Sequence, residues 1–361
     1  MGSLDRRSGP LYRRVADDIL DQIHSGTLRP GDKLPSERAL CDLYQVSQIT
    51  VRRALRELRH SGLLVSRHGL GWYVQNGAAH RGETPEAVLV LPEMDWLAAT
   101  LVRHLAEEIA KGGQALRLSF TGGQPEAEDE ALEAARGQGA AAVLAIADGE
   151  EQALAERYAR FLGGDTPLLL LVREVEASGA PAAYWDQEAA VAMATRHLLD
   201  LGHQRIAYAG GDPDTLGGQR CYWGFANSLW DRGLDLPLDW VFTGPGDTYL
   251  ADERLDAALR GAPRPTAVVC ADDLIAAGVM SRLGHLDLRC PNDVAMVSVG
   301  DRDFCPVLPT PLTSLRPDLR GLARAAASMA RDLAAGRAVQ SARFVGSLVQ
   351  RQSSGAALPP R

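Results

Sequence analysis

Residues 34–74, LPSERALCDLYQVSQITVRRALRELRHSGLLVSRHGLGWYV, constrain the fold more than any other stretch of the chain. They read as a short helix, a tight turn, an amphipathic helix and then a small β-hairpin. Ser36 and Ser47 each stand where an N-cap is wanted, with hydroxyls able to accept from unpaired first-turn amides. From Ser47 onward, Val51, Ala54, Leu55 and Leu58 recur at the i, i+3, i+4, i+7 spacing of a buried helical stripe. The other face carries Gln48, Arg52, Arg53, Arg56 and Arg59. Gly62 fits the position just past the helix end, and Leu63–Ser66 then pairs with Trp72–Gln75 around His68-Gly69. Upstream, a helix over 11–25 places Leu11, Val15, Ile19 and Ile23 four residues apart, and Gly26 ends it. This order is a winged helix-turn-helix. Donors at the first turn of its second helix reach base edges, and flanking arginines hold phosphates. An arginine-rich helix face is commonly only solvated. Capped helix pair, arginine face and wing together point instead to a double-stranded DNA operator as the partner.

The same residues carry a resemblance. LYRRVADDILDQIHSGTLRPGDKLPSERAL from Leu11, followed by VSQITVRRAL, resembles the DNA-binding domain of GntR-type transcription regulators over about residues 10–75. The resemblance implies DNA contacts from Arg38, Ser47, Gln48, Thr50, Arg52, His68 and Gly69, and Ser36 and Arg53 complete the candidate surface. Gln48 stands where the family commonly has arginine, and Leu70 where the wing usually has a basic residue. Gln favours adenine edges and Arg favours guanine, so the operator preference should differ.

Charge divides the chain in the sense this predicts. Residues 1–80 hold 12 Lys and Arg against 8 Asp and Glu, whereas the remainder holds 26 against 38. A basic head on an acidic body is expected where one end meets nucleic acid. The five cysteines are scattered and lack C-x-x-C spacing, which suits reduced thiols rather than disulfides or a metal site. The start, MGSLDRRSGPLYRR, has no apolar signal region, and no apolar run approaches the ~18 residues of a membrane helix. The expectation is a soluble, cytoplasmic protein that does not engage membrane.

Residues 1–10 read as disordered, 11–75 as the head, 76–86 (NGAAHRGETPE, by composition) as a linker, 87–355 as a second domain and 356–361 as a tail. In that domain short apolar runs recur at Ala87–Leu91, Leu116–Phe120, Ala141–Ile146, Leu168–Val172, Arg205–Ala209, Ala267–Ala271 and Ala295–Val299. Helical patterns separate most of them, including 97–111, 188–201, 219–232, 273–284 and 319–335. Buried strands alternating with helices predict parallel α/β sheet. About 270 residues suit two such sheets better than one, with a ligand at the carboxyl ends of the strands. The fold class expected is α/β multidomain: a winged helix-turn-helix plus a two-lobed body of doubly wound parallel sheets.

The body too resembles a family. WDQEAAVAMATRHLLDLGHQRIAYAGG from Trp185, RCYWGF from Arg220, PTAVVCADDLIAAG from Pro265, PNDVAMVSVGDRDF from Pro291 and PTPLTSL from Pro309 resemble the effector domain of LacI/GalR regulators, itself similar to periplasmic sugar-binding proteins. With the GntR-type head, the whole resembles sugar-responsive repressors of the arabinose-repressor type. The resemblance implies a homodimer and nominates Asp186, Arg220, Asp272, Asp301, Arg302 and Asp303 for a sugar-like effector. Carboxylates accept from hydroxyls and Arg forks across neighbouring oxygens. Trp96, Trp185 and Trp223 are candidates for the ring that covers an apolar sugar face, though a lone tryptophan more often packs in a core. Two positions depart: Asp272 replaces a usual Asn, and VGDRD puts Arg302 where a ligand-facing Asp is expected. Either a one-residue shift lets Asp301 or Asp303 do that work, or the effector differs and carries an acidic group.

Enzyme classes find little support. No phosphate loop, metal-ligand cluster or G-x-S-x-G elbow occurs, and Gly210-Gly211 lacks dinucleotide-binding spacing. The only lysines, Lys33 and Lys111, suit no Schiff-base chemistry. No cofactor is expected. A transport binding protein is disfavoured by the head.

Overall fold

The structure is a computed structural model that describes residues 11–24, 27–28, 31–60, 64–67, 71–74, 86–244 and 253–355. Contacts divide the chain into two compact units, the first comprising residues up to Pro85 with Ala135–Ala140 and the second the remainder from Glu86.

The first unit holds α1 (Leu11–His24), α2 (Glu37–Tyr44), α3 (Gln48–His60), β1 (Leu64–Arg67) and β2 (Gly71–Val74). Ser36 caps α2 by accepting from the Ala39 amide at 3.2 Å. Gln45 ends that helix in the left-handed region (φ 51), its amide donating to the Cys41 carbonyl, which makes the tight turn into α3. Ser47 then accepts from the Thr50 amide at 3.3 Å. The antiparallel hairpin pairs Leu64 with Val74 and Arg67 with Gly71. Each strand lies one residue from its expected place. The register follows burial: Leu64 and Val74 both enter the core beside Val15, Ile19, Leu34, Leu40, Val51, Leu55 and Leu58, and a one-residue slip would turn them outward. A preceding stretch joins the sheet edge, Leu34 donating to the Trp72 carbonyl and Val74 to that of Asp32. The helix terminators Gly26 and Gly62 lie outside the described residues.

The second unit runs β3 (Glu86–Leu91), α4 (Trp96–Lys111), β4 (Ala115–Phe120), α5 (Pro125–Gly137), β5 (Ala142–Ile146), α6 (Glu151–Leu162), β6 (Leu168–Val172), β7 (Ala182–Trp185) and α7 (Gln187–Asp200). It continues with β8 (Ile206–Gly210), α8 (Leu216–Trp230), β9 (Val241–Thr243), α9 (Glu253–Arg260), β10 (Ala267–Cys270) and α10 (Asp273–His285). It closes with β11 (Ala295–Val299), β12 (Thr313–Arg316), α11 (Leu319–Ala334), β13 (Ala342–Phe344) and β14 (Ser347–Val349).

These strands form two six-stranded sheets, ordered β4-β3-β5-β6-β7-β13 and β9-β8-β10-β11-β12-β14. All pairings are parallel except β12 with β14. Each sheet reverses order once, beside β3 and β5 in one and β8 and β10 in the other. Ligands of open parallel sheets sit outside the strand ends at such points. Leu168–Leu171 and Ala267–Cys270 are fully buried, as strands covered on both faces must be, and this is why they read as continuous apolar runs.

The chain passes between the sheets three times. It leaves β7 of the first lobe for α7, which packs on β10, β11 and β12 of the second. It returns from β12 through α11, which packs on β5, β6, β7 and β13. It crosses again from β13 to β14. Gly346 makes this last crossing at φ 122, and a Cβ there would fall 2.1 Å from the Arg316 carbonyl. One apolar core spans both lobes, from Leu89 and Leu105 to Tyr208 and Val269.

Helices α7 and α8 approach closely at Gly224, where a Cβ would lie 2.2 Å from the Glu188 carbonyl oxygen. Neither backbone can yield alone. Gly224→Ala should therefore push the pair apart and destabilise the second unit by about 1–3 kcal/mol, the usual cost of overpacking, read as a lower thermal midpoint and reduced urea midpoint against wild type.

Candidate functional site

The candidate DNA-reading surface is built from the start of α2, the turn before α3 and the first turns of α3. Ser36, Arg38, Ser47, Gln48, Arg52 and Arg53 are exposed there, and Thr50 is half-buried. Ser47 and Thr50 hydroxyls meet at 2.8 Å, so one is spent fixing the turn. Arg53 lies with its guanidinium carbon 4.0 Å from the Tyr12 ring centroid, a stacking that anchors it to α1. Arg56 is exposed and donates from Nε to the Arg52 carbonyl at 3.2 Å. The Arg59 side chain, His68, Gly69 and Leu70 lie outside the described residues.

A residue with no distinctive sequence signal, Glu37, organises this surface. Glu37 accepts from Arg52 Nε at 2.7 Å, Gln48 Nε2 at 3.3 Å and Trp72 Nε1 at 3.4 Å. A single carboxylate thus ties the first turn of α2, two candidate reading side chains on α3 and the wing. The Arg52 hydrogen bond holds the Glu37 carboxyl below the usual carboxylate range, against burial that pushes it up. Its place inside the LPSER run was the available signal, but a glutamate in a first turn reads by itself as a helix-dipole residue.

The candidate effector residues sit at carboxyl ends of strands. Trp96 opens α4 after β3, Asp186 caps α7 after β7, Arg220 lies in α8 after β8, Asp272 caps α10 after β10, and Asp301-Arg302-Asp303 follows β11. Three of them meet: Arg302 Nη2 donates to Asp272 Oδ2 at 2.9 Å, and its guanidinium carbon lies 5.0 Å from the Trp96 ring centroid. Trp96 belongs to the first lobe and Arg302 to the second, so this stack bridges the cleft between them. Asp272 also reaches the start of α8, where its charge adds to the burial that pushes the Cys221 thiol up to about 12.

Backbone geometry explains how Arg302 gets there. Gly300 and Asp301 take positive φ values of 136 and 56, conformations that Gly tolerates freely and Asp more readily than most. The turn delivers the Arg302 amide to Asp273 Oδ2 at 2.7 Å. Asp273 is fully buried, also accepts from Ser314 and Ser298 hydroxyls, and burial holds its carboxyl above the usual range.

Other nominated residues are engaged elsewhere. Asp301 was expected to face the effector; its side chain is 3% exposed and its two oxygens face Arg316 at 2.6 Å and Arg351 at 2.7 Å. The left-handed turn rotates it inward and leaves Arg302 to meet Trp96, while Asp303 is exposed. Asp186 accepts from the Ala189 amide at 2.8 Å and pairs with Arg343 at 2.5 Å. Trp185 is buried, with Nε1 donating to the Val345 carbonyl at 3.0 Å, a role in the lobe crossing. Trp223 is 45% exposed and its ring neighbours are Tyr222 and Trp230. The partner arginines at 316, 343 and 351 carried no sequence signal, because their carboxylates lie far off in the chain.

Among the described residues no group of three His, Cys, Asp or Glu is placed to hold a metal ion, and no helix is long and apolar enough to cross a membrane. All five cysteines are free thiols.

Comparison with known proteins agrees with this architecture. Residues 11–74 match the bacterial regulatory proteins of the gntR family, and residues 195–354 match the periplasmic binding protein-like domain. Over 321 residues the chain is 25% identical to the arabinose metabolism transcriptional repressor of Geobacillus stearothermophilus, covering 85% of this chain and 86% of that one. A 66-residue stretch is 52% identical to the mannosyl-D-glycerate transport/metabolism system repressor MngR of Escherichia coli, covering 18% of this chain and 28% of the relative. In fold, the chain is similar to a sugar-binding transcriptional regulator of the LacI family from Escherichia coli, complexed with phosphate. That match has a TM-score of 0.67 at 19% identity and covers 76% of this chain and 99% of the other.

The Glu37 cluster has a pH signature. A carboxyl held low in the folded state adds stability above its unfolded value and loses it as pH falls through the folded value. Arg52 is 57% exposed, so solvent screens much of the effect. Wild type should lose head stability on acidification below about pH 4.5 more steeply than Glu37→Gln. Trp72 fluorescence followed through thermal melts from pH 3 to 7 measures it; parallel curves for the two proteins would count against the cluster.

Proposed function

We propose that this chain, a GntR-type winged helix-turn-helix joined to a periplasmic-binding-protein-like body of the LacI type, is a sequence-specific transcription repressor. It binds operator DNA as a homodimer and leaves it when a sugar or sugar derivative fills the cleft between the lobes. The head spans residues 11–75, and the effector and dimerisation domain runs to residue 355 from Glu86, which the sequence assigns to the linker but which opens β3, so the linker is 76–85. The observation that carries this reading is the union in one chain of an exposed, Glu37-ordered reading helix with two parallel sheets that end on Trp96, Asp272 and Arg302. One winged head reads only a few base pairs, too few to select a site in a genome, which supports the dimer. An effector releases DNA only to the extent that it prefers the closed arrangement of the lobes.

Gel-mobility shift on a selected operator, with and without a sugar panel, tests the reading; two chains per operator and release by a sugar are expected. A monomer bound singly, or an operator complex indifferent to every sugar, would overturn it. In the head, Arg52→Ala should weaken binding to all sequences. Gln48→Ala should relax base preference at one position, each lost base contact costing about 1–3 kcal/mol; an unchanged binding-site selection profile for Gln48→Ala would remove it from the readout.

In the body, Arg220→Ala should abolish release by effector and leave operator affinity without effector nearly intact. Release at the wild-type effector concentration would exclude Arg220 from the cleft.

A further inference from the structure

The acceptors that a neutral sugar would need are already taken. Asp186 is paired with Arg343, and Asp301 with both Arg316 and Arg351. Asp272 accepts from Arg302 and from the Leu274 amide at 2.7 Å. Donors, by contrast, are left over. Arg302 Nε is buried without a hydrogen-bond partner, although its Nη2 is held by Asp272 and its face lies on Trp96. The side chain of half-buried Arg220 has no hydrogen bond or ion pair among the described residues. A buried N–H without an acceptor is costly, and a charged one more so. It marks where a ligand oxygen would sit.

We propose that the effector is an anionic polyol, a sugar acid or sugar phosphate, whose charged oxygens take the open Nε edge of Arg302 beside Trp96, with Arg220 as second donor. This deepens the effector reading above and rests on it. A planar guanidinium edge matches two oxygens of a carboxylate or phosphate, and this one is pre-set by Asp272 on one side and an aromatic face on the other. A neutral sugar seated on Asp272 would have to break the Arg302 pair and strand a partly buried carboxylate. An anion completes the pair instead. Asp303, next in the chain and exposed, is the one nominated carboxylate left for ligand hydroxyls. VGDRD is then a change of ligand class, with arginine reading an anion where the family's carboxylate reads hydroxyls.

The test uses the full chain and two matched sets: D-glucose, D-gluconate and D-glucose 6-phosphate; D-galactose, D-galacturonate and D-galactose 1-phosphate. Sodium chloride at equal ionic strength is the blank. Thermal midpoint and tryptophan fluorescence report binding, since a ligand of the native state raises apparent stability. At least one anion should act at about tenfold lower concentration than its neutral partner, the carboxylate and phosphate arms telling which group is read. Arg302→Gln should erase that preference, its unliganded midpoint showing that it folds, and Arg302→Lys should keep part of it. Neutral sugars binding as tightly as their anions, an Arg302→Gln protein that still prefers the anion, or a panel in which nothing binds would each overturn the inference. Release of operator by neutral sugars alone leaves the repressor reading standing and this one overturned. Anions that bind but never release operator do the reverse.

Discussion

The buried carboxylate of Asp273 is the point on which the second lobe's ligand-facing end depends. It lies at the start of α10, yet its acceptors reach Ser298 in β11, Ser314 in β12 and the Arg302 amide in the loop between them. Burying a carboxyl costs solvation free energy, and only saturation with donors offsets it. Those donors come from three consecutive segments of the sheet, so satisfying one side chain fixes the relative positions of all three. Gly300 is required by the same arrangement, since a Cβ there would press to 2.7 Å from Asp273 Oδ2. The left-handed turn at Asp301, its inward ion pairs and the outward aim of Arg302 follow in sequence.

Strain recurs at the carboxyl end of the other sheet. Val172, the last residue of β6, sits at φ 67, a region that β-branched side chains seldom enter. The Arg173 amide closes the turn onto the Leu171 carbonyl at 2.7 Å, and the Arg173 side chain is then clamped by Glu151 at 2.6 Å and the Gly149 carbonyl at 2.8 Å. Such conformations persist where surrounding contacts over-determine them. Both sheets thus spend backbone strain at the ends that face the cleft, while their strands are regular elsewhere.

Much of this was legible in the sequence, and the reasons are local. The strand Leu168–Val172 and the helices near 97–111 and 319–335 announce themselves because burial on two faces or one stripe leaves a run or a period. The short strands Ala182–Trp185, Val241–Thr243, Ala342–Phe344 and Ser347–Val349 are three or four residues long, too short for any period to emerge. The amphipathic helices at Pro125–Gly137 and Glu151–Leu162 are hard to see in the sequence, because their Glu- and Ala-rich faces blur the apolar stripe. Within the site, Trp96, Asp272 and Arg302 were nominated and come together. Of Asp301 and Asp303, the sequence leaves open which one faces outward, because a single φ sign turns Asp301 inward and no composition encodes it. The role of Glu37 is hidden in the sequence because its three partners lie 11, 15 and 35 residues away.

The three passages between the lobes have a consequence for how the protein is made. The first lobe consists of residues 86–185 together with α11 and β13, which lie beyond residue 318. Its strand β7 is an open edge until β13 pairs with it, and one face of β5, β6 and β7 is bare until α11 arrives. A ribosome therefore exposes that apolar face while more than a hundred further residues are synthesised, and the second lobe must wait for β14 in the same way. Neither lobe is complete until β13 and β14 are made, which end only five residues apart at Phe344 and Val349, so the bare face of the first lobe needs protection in the nascent chain until then.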